Sequence, residues 1–100
     1  MTEFIAKEWM DPDGVIVASG ERLARHVLPV LRRGESVLVR TDGLEGLSSS
    51  YFNIFLIIIR DELGPASLAR VSFQFSSTIH RAMLDRSLAA VTNAAVRTST

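Results

Sequence analysis

The pattern of apolar and polar positions divides the chain into helical and extended segments. Over residues 21–33 apolar residues return every three or four positions, which predicts an amphipathic helix. Pro29 lies inside this segment and predicts a kink or a break, because proline lacks the backbone N–H of a helix interior. A second helix is expected to start at the serines 48–50 and to stop at Gly64, and a third to follow residues 76–78.

Four strands are predicted between and before these helices. Residues 4–9 and 15–18 are apolar runs separated by the turn-forming residues 10–14, which indicates an antiparallel hairpin. Residues 37–39 form a short apolar run, and residues 71–75 alternate between apolar and polar. Because helices between successive strands imply parallel crossovers, the expected fold is α/β: a single small domain with a mixed four-stranded sheet, ordered β-β-α-β-α-β-α, packed by helices.

Composition fits one globular domain. Apolar residues make up 47% and charged residues 22% of the 100 positions, which is enough apolar surface for a core. We expect one domain over residues 1–100, with its core at about 4–91 and a frayed tail at 93–100. Acidic and basic residues balance at 11 each, which argues against nucleic acid as a partner, and the lack of cysteine excludes disulfides and thiolate zinc sites.

The chain shows no pattern of a membrane protein. Its most apolar run, residues 51–59, is less than half the length of a spanning helix, which needs about 20 residues. Charged residues interrupt the amino-terminal segment, so it does not resemble a signal peptide. We therefore expect a cytoplasmic protein without membrane association.

No catalytic, cofactor-binding or metal site is predicted. His26 and His80 each lie alone on a predicted helix, without the carboxylates that a metal or acid–base site would need. The glycines do not follow either of the common phosphate-binding spacings. The chain is therefore expected not to be an enzyme and to need no cofactor.

One acidic cluster offers an alternative. Asp11, Asp13 and Asp42 would form a phosphate-accepting pocket, like that of response-regulator receiver domains, if they converged at one sheet edge. Lys7 is the only lysine that would complete such a pocket. The turn around Pro12 explains Asp11 and Asp13 more simply.

The segment 42–50 carries the strongest functional signal. Three consecutive serines follow a strand and open an apolar helix, so their hydroxyls lie at the positive end of a helix dipole. An anion, or a phosphate attached to one serine, is favoured there. The alternative is that the serines only cap the helix.

The helix that follows has a narrow polar strip marked by Asn53, Arg60 and Asp61. Part of the remaining apolar surface, including Leu56 and Ile57, is then left to contact a protein partner. The alternative is that neighbouring helices cover this surface.

The order of elements and the sequence of residues 37–52, VLVRTDGLEGLSSSYF, resemble the STAS superfamily of sulfate-transporter and anti-sigma-factor-antagonist domains. The likeness is greatest to small bacterial STAS-like domains of unknown function. It covers residues 4–91 and rests on the strand, the glycine step at Asp42-Gly43-Leu44, and the serine-rich turn before Tyr51.

In the antagonists of this superfamily the corresponding loop reads Asp-Ser-Ser-Gly-Leu. Its second serine is phosphorylated by a kinase of the histidine-kinase ATPase superfamily, which releases or blocks the partner. The resemblance therefore implies Ser50 as phosphoacceptor, with Ser49 before it. This chain departs from the pattern at Ser48, where the family has Asp, and at Tyr51, where it has Gly.

Two functions follow as hypotheses. The first is a bacterial signalling module that binds a histidine-kinase-type ATPase or a serine kinase and is switched by phosphorylation of Ser50 or Ser49. The second is a structural homo-oligomerising subunit, with a homodimer interface at Leu56 and Ile57 and serines that only cap. The predicted partner-binding residues are Asp42, Gly43, Ser48, Ser49, Ser50, Tyr51, Phe52, Leu56 and Ile57.

Overall fold

The computed structural model describes residues 1–44, 47–75 and 78–98, with side chains up to residue 92. Strands and helices alternate along the chain. The elements are β1 (Thr2–Ile5), α1 (Ile16–Arg32), β2 (Val37–Arg40), α2 (Ser49–Leu63), β3 (Val71–Gln74) and α3 (Thr78–Thr98), with short 3-10 helices at Ala6–Trp9 and Pro65–Arg70.

The three strands form one parallel sheet in the order β1-β2-β3. Phe4, Val39 and Phe73 are in register across it. Helix α1 connects β1 to β2 and α2 connects β2 to β3, and α2 packs against both α1 and α3. Both connections have the same handedness, and the strand order advances in one direction across the sheet. Their helices therefore lie on the same face of the sheet. The opposite face carries exposed residues such as Glu3 and Ser72.

The predicted hairpin is wrong, because residues 15–18 belong to α1 and its amino-terminal boundary. The carboxylate of Asp11 accepts the N–H groups of Asp13 and Val15, at 3.1 and 3.2 Å. The buried Ser19 hydroxyl accepts the Asp11 N–H at 2.8 Å and donates to the Val15 carbonyl at 2.8 Å. These bonds lead the turn into a helix. In the described residues the sheet is therefore parallel and three-stranded, not mixed and four-stranded.

Helix α1 continues through Pro29 to Arg32, so the break is absent. It stops where Gly34, with φ +85°, donates its N–H to the Leu31 carbonyl at 2.9 Å. The guanidinium of Arg70 donates to the same carbonyl at 2.9 Å. A glycine in the left-handed conformation therefore ends this helix.

The core lies between the sheet and the helices. Tyr51, Phe52 and Phe55 on α2 are fully buried. Phe52 and Phe55 meet Phe73 of β3 edge-to-face, at ring-centroid distances of 5.8 and 5.5 Å. Aromatic pairs of this geometry stabilise beyond the area they bury. Helix α2 is therefore the central element of the helical layer.

Helix α3 runs to Thr98, so the backbone of residues 93–98 is helical where the sequence predicts a frayed tail. Ser76 and Ser77, predicted to cap this helix, lie outside the described residues. Within the part of the chain that the structure describes, no helix has the length and apolar character needed to cross a bilayer.

Candidate functional site

All three helices begin at the same end of the domain. In a parallel sheet the carboxyl ends of the strands share one edge, and α1, α2 and α3 each follow a strand from that edge. Because β2 is the central strand, the segment that follows it, with the serines 48–50, lies in the middle of this edge.

A tight turn leads the chain out of β2. The buried Thr41 donates its N–H and its hydroxyl to the Gln74 carbonyl, both at 3.1 Å, which fixes the turn to β3. Its own carbonyl accepts the Leu44 N–H at 3.1 Å, across Gly43 with φ +79°. The exposed residues at the tip of this turn are Asp42 and Gly43.

Charged side chains border the turn. Asp42 pairs with Arg40 at 3.3 Å, with both side chains partly exposed. The Lys7 side chain crosses from the connection after β1, so that a Cβ built at Gly43 would lie 3.4 Å from Lys7 Cδ. The two loops are therefore in contact at the edge.

Ser49 and Ser50 lie exposed in the first turn of α2. Ser48 is the N-cap residue, but its hydroxyl makes no capping bond; its carbonyl accepts the Tyr51 N–H at 3.1 Å. This first turn contains no acidic residue to complement the helix dipole. The hydroxyls of Ser49 and Ser50 are thus accessible to a modifying enzyme.

Three predicted partner-binding residues do not lie at the surface. Tyr51 and Phe52 are 0% exposed and Leu56 is 2% exposed, and Ile57 is half-buried against the core. Helices α1 and α3 flank α2 and cover its apolar face, as in the alternative interpretation of this helix. Tyr51, Phe52 and Leu56 are therefore corrected to core residues that a partner does not reach in this conformation.

Two of the three aspartates considered as a pocket have separate local partners. The Asp11 carboxylate caps the turn before α1, and Asp42 pairs with Arg40. The His26 ring packs against Trp9 in a tilted arrangement, with ring centroids 4.2 Å apart. Among the described residues, no group of three or more histidine or acidic side chains is placed to hold a metal ion.

The sequence interpretation missed a set of exposed apolar side chains at the carboxyl edge. Val15 and Val17, at the start of α1, are 52% and 46% exposed, and Ile79, at the start of α3, is 65% exposed. We call these three residues the apolar strip. Because the sequence interpretation assigned residues 15–18 to a strand, it did not identify Val15 and Val17 as exposed positions at the start of a helix.

The Tyr51 hydroxyl is buried and has no hydrogen-bond partner among the described residues. Burial in the core raises the pKa of this phenol well above its ordinary value, because the phenolate would be poorly solvated. An unpaired buried hydroxyl costs roughly 1–3 kcal/mol of folding free energy. The Tyr51 ring therefore stabilises the folded state by packing, while its unpaired hydroxyl destabilises it.

A Tyr51→Phe variant is expected to raise the free energy of unfolding by about 1 kcal/mol, because it keeps the ring and removes the unpaired hydroxyl. The wild type should also lose stability above about pH 10, where the unfolded chain ionises and the folded one stays neutral, by at most about 1.4 kcal/mol per pH unit. Urea denaturation between pH 7 and 11 checks both effects. Loss of stability at pH 7 in the variant would show that the hydroxyl is bonded.

Comparison with known proteins gives no assignment: no protein-family model matches the chain, and no curated protein or solved structure matches it significantly.

Proposed function

We propose that this protein is a non-catalytic, cytoplasmic regulatory module, resembling the anti-sigma-factor antagonists, that binds a histidine-kinase-type ATPase through the carboxyl edge of its sheet. Ser50, with Ser49 as the second candidate, accepts the phosphate that controls binding. The observation that carries the proposal is the exposure of both hydroxyls in the first turn of α2, in the middle of this edge.

A phosphate on Ser50 would change the edge in two ways. It adds about −1.5 to −2 charges and three acceptor oxygens at a helix amino terminus, where negative charge is worth about 0.3–1 kcal/mol. It also lies at the same edge of the sheet as Val17 and Ile79, which are exposed in the first turns of α1 and α3. A partner that covers these apolar residues must desolvate the phosphate, so phosphorylation weakens binding.

The binding surface consists of the exposed part of the predicted set. It includes the turn at Asp42 and Gly43 and the serines 48–50. The homodimer alternative relied on Leu56 and Ile57, and the burial of Leu56 removes its central contact. We therefore favour the regulatory module over an assembly through α2.

Substitution of Ser50 tests the switch. Ser50→Asp is expected to weaken partner binding at least about tenfold, or about 1.4 kcal/mol, while Ser50→Ala keeps wild-type affinity. Affinity for the partner ATPase is measured by titration of purified proteins. Ser72→Asp is the matched control, because Ser72 is also exposed but lies on the sheet face opposite the helices.

Equal affinity of the Ser50→Asp, Ser50→Ala and wild-type proteins contradicts the switch. An equal loss in Ser72→Asp shows a general effect of added charge. Thermal denaturation of each variant establishes that the comparison is made between folded proteins.

A further inference from the structure

Strand β3 lies at one side of the sheet, and among the described residues β2 is the strand that pairs with it. The Gln74 carbonyl accepts the Thr41 N–H, so the backbone groups of Gln74 and Ser72 point toward β2. Because these groups alternate in direction along a strand, Phe73 points its N–H and its carbonyl away from β2. Phe73 therefore presents one donor and one acceptor to a further strand at this outer side of β3.

The outer side of β3 lacks the features that protect edge strands in natural proteins, such as charged side chains, prolines or a covering segment. Residues Val71–Gln74 include no charged residue and no proline. Strand β1, at the other side of the sheet, contains Glu3. There Trp9 packs between β1 and α1, with its ring centroid 6.2 Å from Phe4 and 4.2 Å from His26. The outer side of β3 is thus the less protected of the two.

Helix α3 extends past the outer side of β3. It runs beside α2, where the Arg60 guanidinium donates to the Val91 carbonyl at 3.2 Å, and α2 separates it from α1. Three packed helices measure roughly 16–20 Å between their outermost axes, whereas three strands measure about 10 Å. The helical layer is therefore wider than the sheet. A strand added to β3 would lie under α3.

Apolar side chains line the angle between β3 and α3. Arg81, Leu84 and Leu88 follow one another at helical spacing and share one face of α3. The Arg81 guanidinium lies 5.6 Å over the Phe75 ring, so this face is directed toward β3. The Phe75 ring stacks on Phe73 at 5.7 Å. Leu84 and both rings are half-buried and Leu88 is 36% exposed, so apolar surface adjoins the Phe73 backbone.

The charge at this surface is weakly basic. Residues 78–92 of α3 hold two bases, Arg81 and Arg86, and one acid, Asp85, for a net charge of +1 (2 − 1) with histidine neutral. Arg70, just before β3, donates to two backbone carbonyls at and after the end of α1. In the part of the chain that the structure describes, Arg81 forms no ion pair. An acidic residue beside the Phe75 ring would therefore complement Arg81.

The geometry disfavours a second copy of the chain as the occupant. Two copies joined through β3 would place two α3 helices over two strands about 4.8 Å apart, whereas packed helices need about 8–10 Å. Such pairing would also bring no acidic residue to Arg81, because Val71–Gln74 contains none. A single extended segment avoids both problems.

We propose that the outer side of β3 binds an extended segment of a partner protein as a fourth, antiparallel strand under α3. The segment has apolar residues at the alternate positions that face α3, and an acidic residue beside Arg81. Its backbone exchanges both hydrogen bonds with Phe73, so the main chain supplies affinity and the side chains supply specificity. This surface is separate from the serines, and the proposal does not depend on the Ser50 switch.

A defined peptide, acetyl-Glu-Thr-Val-Thr-Val-Thr-amide, tests the proposal by NMR titration of isotope-labelled protein. Its first Val is expected to lie opposite Phe73, which places its Glu opposite Phe75 and Arg81. We expect saturable shifts at Phe73 and slower hydrogen exchange of the Phe73 amide. One control peptide has Lys in place of Glu, and the other has an N-methyl group on the first Val; both should bind at least about tenfold more weakly.

A charge reversal locates the acidic residue. In the Arg81→Glu variant the Lys peptide is expected to bind more tightly than the Glu peptide. Arg86→Glu is the matched control, because it makes the same change at an exposed position on a different face of α3, and it should keep the preference for Glu. The amide spectrum of each variant establishes that it is folded.

Three outcomes overturn the proposal: equal binding of the N-methylated peptide, an unchanged preference for Glu in Arg81→Glu, or no shifts at Phe73. Concentration-dependent shifts at Phe73 without peptide would assign this side of β3 to a second copy and overturn it as well. None of these results bears on phosphorylation of Ser50, which the partner titration measures.

Discussion

A Leu56→Glu variant is expected not to fold. Leu56 is 2% exposed and lies on the face of α2 that packs into the core. Truncating such a leucine costs about 2–5 kcal/mol, and an unpaired buried carboxylate adds several more. The sum reaches the total stability of a typical small domain, which is about 5–15 kcal/mol. Circular dichroism and the NMR spectrum of the backbone amides should show an unfolded chain.

The matched control is Val17→Glu, because it puts the same side chain on an exposed helical position. This variant should keep the wild-type unfolding midpoint within about 0.5 kcal/mol. A folded Leu56→Glu monomer, obtained from a wild-type dimer, would contradict the burial of Leu56. That result would restore the homodimer interface on α2.

A Gly20→Ala variant is expected to lose about 2 kcal/mol of unfolding free energy, although alanine is the better helix former by about 1 kcal/mol. The added Cβ would lie 2.6 Å from Ile54 Cγ2 and 2.7 Å from the Tyr51 carbonyl oxygen. Since the second contact is with backbone, α1 and α2 must separate to admit the methyl group. Guanidinium denaturation should show a lower midpoint.

Glu21→Ala serves as the control for this glycine. Glu21 is exposed on the same helix and, among the described residues, pairs with Arg25 at 3.3 Å. Surface pairs of this kind contribute about 0.3–0.5 kcal/mol, so the control should change little. A Gly20→Ala variant that is at least as stable as the wild type would contradict the close approach of α1 to α2.

Local pattern was sufficient to predict the elements whose burial follows one period. Helix α2 stops at Gly64, and β3 alternates between half-buried residues such as Phe73 and exposed ones such as Ser72, as predicted. The prediction of a strand at residues 15–18 was wrong, because it relied on the strand propensity of their β-branched side chains. The hydrogen bonds that make them helical come from Asp11 and Ser19. The pattern of apolar positions does not reveal such contacts, which override local strand propensity.

The candidate site was predicted in part. The sequence placed the serines 48–50 between a strand and an apolar helix, and Ser49 and Ser50 are exposed at the start of that helix. The burial of Tyr51 and Leu56 depends on how α1 and α3 flank α2, which the sequence of α2 alone does not contain. The exposure of Ile79 depends on the same packing.

The central claim is that phosphate on Ser50 or Ser49 excludes the partner. The most direct test isolates the protein from its native cells, separates the partner-bound and free fractions, and determines phosphate occupancy at Ser48, Ser49 and Ser50 by mass spectrometry. The account predicts an ATPase in the bound fraction, unmodified serines in that fraction, and phosphate on Ser50 or Ser49 in the free protein. Equal occupancy in the two fractions, or serines that are unmodified in both, would contradict it.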